Sequence, residues 1–179
     1  YALAQVFAGW LLARFNVNWL YALGYFLWSG ATALTGYVTG FEMMFGLRLI
    51  LGLSESVAYP CYSKIIAAEF PEHQRGIANA LIDAGSKLGP ALGIIVCGGL
   101  MTAYGWRSMF ILIGGVSMLW LLPWMWVAWK QKGGAADAGA RDSIGLGQLL
   151  SQRSAWGTFI GLFCLNYIWY FLVTWLPTY

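Results

Sequence analysis

Six apolar stretches follow one another along this chain, at about residues 1–13, 18–38, 42–67, 76–102, 108–129 and 155–179. A helix of about 20 apolar residues crosses the ~30 Å hydrocarbon core of a bilayer. Inside that core the backbone must satisfy its own hydrogen bonds, which leaves helices and closed barrels. The stretches are long and continuous rather than alternating, and this selects helices. Composition closes the other routes. Hydrophobic residues make up 60% of the chain and charged residues 9%, where a soluble domain carries roughly a quarter charged. Disorder needs low hydrophobicity and high charge. The fold class is therefore all-α, a polytopic transmembrane helix bundle.

The chain opens at Tyr1 already inside an apolar run and closes at Tyr179 just past an aromatic one, so it is read as incomplete. Connections are short except for Lys130 to Arg153. That stretch is polar and holds Gly133, Gly134, Gly139, Gly145 and Gly147. It reads as a flexible linker between two bundles, ending in a short interfacial helix around Leu146 to Leu150. Alternate loops place Arg14, Arg75, Lys130, Lys132, Arg141 and Arg153 on one side and only Arg107 on the other. Cationic loops stay cytoplasmic, so the linker and the Glu69–Arg75 loop are assigned to the cytoplasm. The net charge of +3 is too small to suggest nucleic acid. Cys61, Cys97 and Cys164 lie in apolar runs, and neither a metal site nor a cofactor is expected.

Ionisable groups within a span are costly and mark function by default. The third span carries Arg48 and Glu55, and the fourth carries Asp83 and Lys87. Arg48 and Glu55 are seven residues apart, on nearly one helical face two turns apart. Asp83 and Lys87 are four apart, a spacing that allows an ion pair. By rise per residue, both carboxylates lie about 10 Å from the cytoplasmic side, with the cations nearer the middle. A structural ion-pair network is one reading. A charged cavity that binds an anion and moves a proton is the other, and it is preferred because two buried cations suit an anionic ligand. Lys64 lies near the cytoplasmic end and is expected to snorkel. His73 sits in a solvated loop.

Gly85, Gly89 and Gly93 form a small-residue stripe that would let another helix approach, and Pro90 in the same span favours a bend. In the last span Asn166, Tyr167, Tyr170 and Thr174 fall at helical spacing and could line a sugar-like ligand. Trp175 and Tyr179 read as an interfacial aromatic belt. There is no Ser-His-Asp set, metal-ligand cluster or phosphate loop, and an enzyme is not expected.

These residues resemble the major facilitator superfamily, and within it the anion:cation symporter family. The run from Arg48 through Gly52 to Glu55, followed by Pro60, is similar to that family's fourth helix. Phe70-Pro71-Glu72-His73-Gln74-Arg75-Gly76 is similar to the loop after it. Gly105-Trp106-Arg107 with Phe110 resembles the fifth-to-sixth junction, and Trp175-Leu176-Pro177-Thr178-Tyr179 the end of the seventh helix. Tyr1, Gln5 and Gly9-Trp10-Leu11 resemble the second helix. The resemblance covers the whole chain. It implies an incomplete bundle of major facilitator type: residues 1–129 as helices two to six, 130–154 as the inter-bundle linker, and 155–179 as the first helix of the C-terminal bundle.

The resemblance further implies alternating access around a midplane site and uptake of a small organic anion, often a sugar acid, with protons. It gives Arg48 and Glu55 the coupling role, to which the buried charge of Asp83 is added. Tyr1 and Ser86 would line the sugar-acid site, and Gln5, Arg48, Lys87, Asn166, Tyr167 and Tyr170 complete the substrate-binding set. Two features depart from the pattern. The loop Ala13-Arg14-Phe15-Asn16-Val17-Asn18 has Ala13 where the usual acid precedes the arginine and lacks the glycine and basic residues that usually follow, and Gly85 to Gly93 is similar to a run found in antiporters. The expected protein is a monomeric multi-pass importer in a bacterial inner membrane. An anion exchanger, an exporter of the same superfamily, or a non-transporting sensor or subunit are the alternatives.

Overall fold

The computed structural model describes residues 2–130, Gly147 and 151–176. Every regular element among them is helical: α1 (Ala2–Arg14), α2 (Val17–Thr35), α3 (Phe41–Glu55), α4 (Ala58–Glu69), α5 (Glu72–Leu119), α6 (Leu121–Lys130) and α7 (Arg153–Trp175). The chain divides into two compact units, Tyr1–Gly139 and Ala140–Tyr179. Most of the expected 130–154 linker, with its interfacial helix, lies outside the described residues, as does Tyr1.

In the first unit α2 is central. It packs against α3, α4, α5 and α6, while α1 packs on α4. Three contacts show that the helices alternate up and down. The Lys64 ammonium reaches the Leu12 carbonyl at 2.8 Å, and the Trp124 indole N–H reaches the Asn18 carbonyl at 3.3 Å. At the other end the Arg107 guanidinium meets the Val38 carbonyl at 3.3 Å. Arg14, Lys64, Arg75 and Lys130 therefore collect at one end and Arg107 at the other. Arg14 lies over Trp10, Lys130 over Trp126 and Arg107 over Trp106, each within 4.8 Å of the ring centroid. Cations stacked on tryptophans at both ends fit the two polar boundaries of a bilayer.

The third and fifth spans, expected as single helices, are each interrupted. Between α3 and α4 the backbone turns at Ser56 and Val57. Pro60 has no N–H to give the Ser56 carbonyl, and its ring crowds the preceding turn. The Ser54 and Ser56 hydroxyls bond back to the carbonyls of Ile50 and Leu53, both at 2.7 Å. Trp120 interrupts the fifth span in the same way, with Pro123 three residues beyond it. Among the described residues, two helical stretches are long and apolar enough to cross a membrane, Glu72–Lys130, which runs through the breaks at Gly105 and Trp120, and Arg153–Trp175.

Through Pro90 the backbone keeps helical dihedrals. The break in α5 falls instead at Gly105 (φ 78°, ψ 164°), within the motif read as an inter-helix junction. Only glycine enters that region without a steric penalty. Among the described residues, a methyl added at Gly85, Gly89 or Gly93 would meet nothing within 4 Å. Close approaches occur elsewhere. A Cβ on Gly36 would lie 2.6 Å from the Arg107 carbonyl oxygen, and one on Gly114 2.7 Å from Ala33 Cα. Backbone touches backbone where α2 meets the 106–119 limb of α5.

Replacing Gly105 with alanine is expected to lower stability by roughly 1–3 kcal/mol, the cost of holding a side chain in a glycine-only conformation. Thermal unfolding of the detergent-solubilised protein would measure it, and an unchanged midpoint would refute the assignment.

Candidate functional site

Glu55 is the last residue of α3, at the seam before α4. It lines a cavity of about 540 Å³ together with Tyr59 and Tyr62 of α4, Tyr21 and Trp28 of α2, Ser86 of α5, and Trp120 and Trp124 on either side of the second seam. The helix pattern explains this convergence. Residues 55, 59 and 62 follow at intervals of four and three, so they share one face across the seam. Ile82, Gly85 and Ser86 do the same on α5.

The aromatic wall is tightly organised. The Tyr21 and Tyr62 hydroxyls are 3.0 Å apart. Tyr21 packs on Trp124 with centroids 4.6 Å apart and on Trp28 at 6.3 Å, and Tyr25 packs on Trp28 at 4.8 Å. Offset and edge-to-face pairs at these distances are favourable beyond the area they bury. A second, apolar cavity of about 480 Å³ shares Tyr62, Ile82 and Trp124 with the first and continues to Phe70 and Ile77. The two form a trench along α4 and α5, polar near Glu55 and apolar toward Phe70.

Of the other residues singled out in the sequence, Ser86 joins Glu55 in the cavity wall, and its hydroxyl donates to the Asp83 carbonyl at 2.7 Å. Arg48 does not line this cavity. It is exposed, and its guanidinium carbon lies 5.9 Å from the Phe110 ring centroid. Asp83 is exposed on α5 and Lys87, one turn further on, is half-buried; neither lines the cavity. Gln5 is half-buried on α1, also outside it.

In the second unit, Asn166, Tyr167, Tyr170 and Thr174 share one face of α7, as their spacing predicts. With Phe163, Phe171 and Trp175 they border a hollow of about 380 Å³. The Asn166 side-chain amide donates to the Leu162 carbonyl at 2.9 Å, leaving its oxygen to accept. Among the described residues no group of three or more His, Cys, Asp or Glu is placed to hold a metal ion.

Sequence reasoning missed the aromatic wall. Its signal was present, because Tyr21, Tyr25 and Trp28 recur at helical spacing, but aromatic residues are common throughout this chain and only the packing separates a wall from a lipid-facing belt. The role of Arg75 was also missed. Its guanidinium caps α4, donating to the Phe70 and Ala67 carbonyls at 3.0 and 2.9 Å.

The whole length, residues 1–179, matches the model of the Major Facilitator Superfamily. The chain belongs to this family. It is similar to the probable galactarate/D-glucarate transporter GarP of Escherichia coli, at 30% identity over 100% of this chain and 48% of that protein. It is 28% identical to the probable galactarate/D-glucarate transporter GudP of Bacillus subtilis, covering 46% of it. It is also 28% identical to a D-galactonate transporter of Escherichia coli, covering 47% of it. The chain thus spans about half the length of the curated relatives it matches. These relatives are named as transporters, not as enzymes, and the all-helical fold agrees with the family.

Replacing Tyr62 with phenylalanine removes the partner of the buried Tyr21 hydroxyl and is expected to cost about 1 kcal/mol. The double variant Tyr21→Phe/Tyr62→Phe should lose less than the sum of the single changes, read from denaturation midpoints in a double-mutant cycle.

Proposed function

We propose that this chain forms part of a secondary transporter that imports a sugar acid, such as an aldonate, aldarate or hexuronate, together with protons. Residues 1–129 would form most of one bundle, 130–154 a cytoplasmic linker, and 155–179 the first helix of a second bundle. The cationic end of the first unit would face the cytoplasm of a bacterial cell. The observation that carries the reading is the position of Glu55, an ionisable group within a span that opens onto a cavity with hydroxyls and aromatic faces. The relatives named as galactarate/D-glucarate and D-galactonate transporters support a sugar acid as the substrate.

The mechanism follows from electrostatics. An ionised Glu55 repels a carboxylated sugar, and a proton on Glu55 removes that charge. Arg48 lies two turns away on nearly the same helical face, its guanidinium toward Phe110 and outside the cavity wall; in the proposed mechanism it swings round to offer an anion its permanently charged, planar fork. Asp83 is assigned to the same coupling set. Proton and anion then stabilise each other's binding, and the doubly loaded state carries less net charge through the low-dielectric interior. Ser86, Tyr1, Gln5, Asn166, Tyr167 and Tyr170 are proposed to hydrogen-bond sugar hydroxyls, with Lys87 adding positive potential.

In vesicles containing the full-length protein, labelled galactonate or glucarate should accumulate when a proton gradient is imposed and stop accumulating when a protonophore is added. Uptake indifferent to the gradient rejects symport and favours exchange. Glu55→Gln should reduce gradient-driven uptake to background while counterflow exchange persists in part; equal loss of both would make Glu55 structural.

A further inference from the structure

α1 and α4 meet at a seam closed by the start of α2, and in this cluster Leu12, Val17, Val57 and Cys61 are buried, Cys61 completely. One turn beyond Cys61, the Lys64 side chain crosses the seam and donates to the Leu12 carbonyl at 2.8 Å. That carbonyl is one of the last four of α1, which have no partner within the helix. An ammonium there also meets the negative end of the helix dipole. The α1–α2 connection is only Phe15 and Asn16, and the Asn16 side chain is committed to capping α2, accepting from the Asn18 N–H at 2.9 Å. The connection itself therefore offers no side-chain charge toward α4. Lys64 is half-buried and sits at the cationic end of the unit, where water can take over both halves of its bond. The closed contact thus competes with an open state that leaves neither the ammonium nor the carbonyl unsatisfied.

We propose that Lys64 is a latch. Its bond to Leu12 holds the end of α1 against α4, and its release admits water to the seam without unfolding the bundle. Lys64 is thus a positioning residue: it fixes the helix that carries Gln5 against the helix that follows Glu55. The assignment rests on the seam geometry and not on the transport reading.

Cys61 reports on the seam directly. A thiol reacts with N-ethylmaleimide as its thiolate, which needs water, so its labelling rate follows local opening. In the full-length protein with every other cysteine replaced, Cys97 and Cys164 included, Lys64→Met should be labelled about tenfold faster than the parent, with unchanged helical circular dichroism. Lys64→Arg keeps the donor and should label at the parental rate. Labelling of Lys64→Met at the parental rate would overturn the latch, and so would Lys64→Arg labelling as fast as Lys64→Met. Should Lys64→Met fail to accumulate, Lys64→Gln takes its place. Faster labelling of that variant supports the latch, and a parental rate overturns it. None of these readouts requires that transport be observed.

Discussion

A backbone carbonyl or amide left unpaired in hydrocarbon costs several kcal/mol, by the transfer energetics of polar groups. Several helix ends here are organised around that cost. Where α3 gives way to α4, serine hydroxyls bond to the carbonyls of the preceding turn. Where α2 begins, Asn16 receives the Asn18 amide. Where α1 and α4 end, Lys64 and Arg75 supply cationic donors to the terminal carbonyls. Threonines 32 and 35 bond back one turn along α2, at 2.8 Å each. At these ends a local side chain supplies the bond that the helix no longer makes for itself.

The same constraint explains what the sequence could and could not disclose. Span positions were legible because hydropathy is a property of contiguous residues. The seams at Ser56 and Trp120 were legible in principle, since a proline lies four residues after one and three after the other, but the apolar runs continue through both. Pro90 shows why proline alone misleads: the helix keeps its dihedrals there, and the interruption falls at Gly105. The bond of Lys64 was invisible, because its partner is a backbone carbonyl 52 residues away and carbonyls carry no sequence signature.

At the candidate site the sequence disclosed the chemistry and left the arrangement open. Glu55 and Ser86 were singled out on different grounds, one by charge within a span and the other by resemblance, and they meet in one cavity wall. Arg48 was placed on nearly the same face as Glu55 by periodicity, yet its guanidinium lies toward Phe110. A shared helical face fixes the direction in which a Cβ points, but a side chain as long as arginine is placed by its neighbours.

Gly36 and Gly114 have a mechanical meaning beyond packing. Where main chains lie in direct contact, no rotamer is available to absorb a displacement, so α2 and the outer limb of α5 behave as one stiff strut. Rocking within this unit then falls to the points where its helices break, the seams at Ser56 and Trp120 and the glycine turn at Gly105, and two of these three lie next to the acid and its aromatic wall.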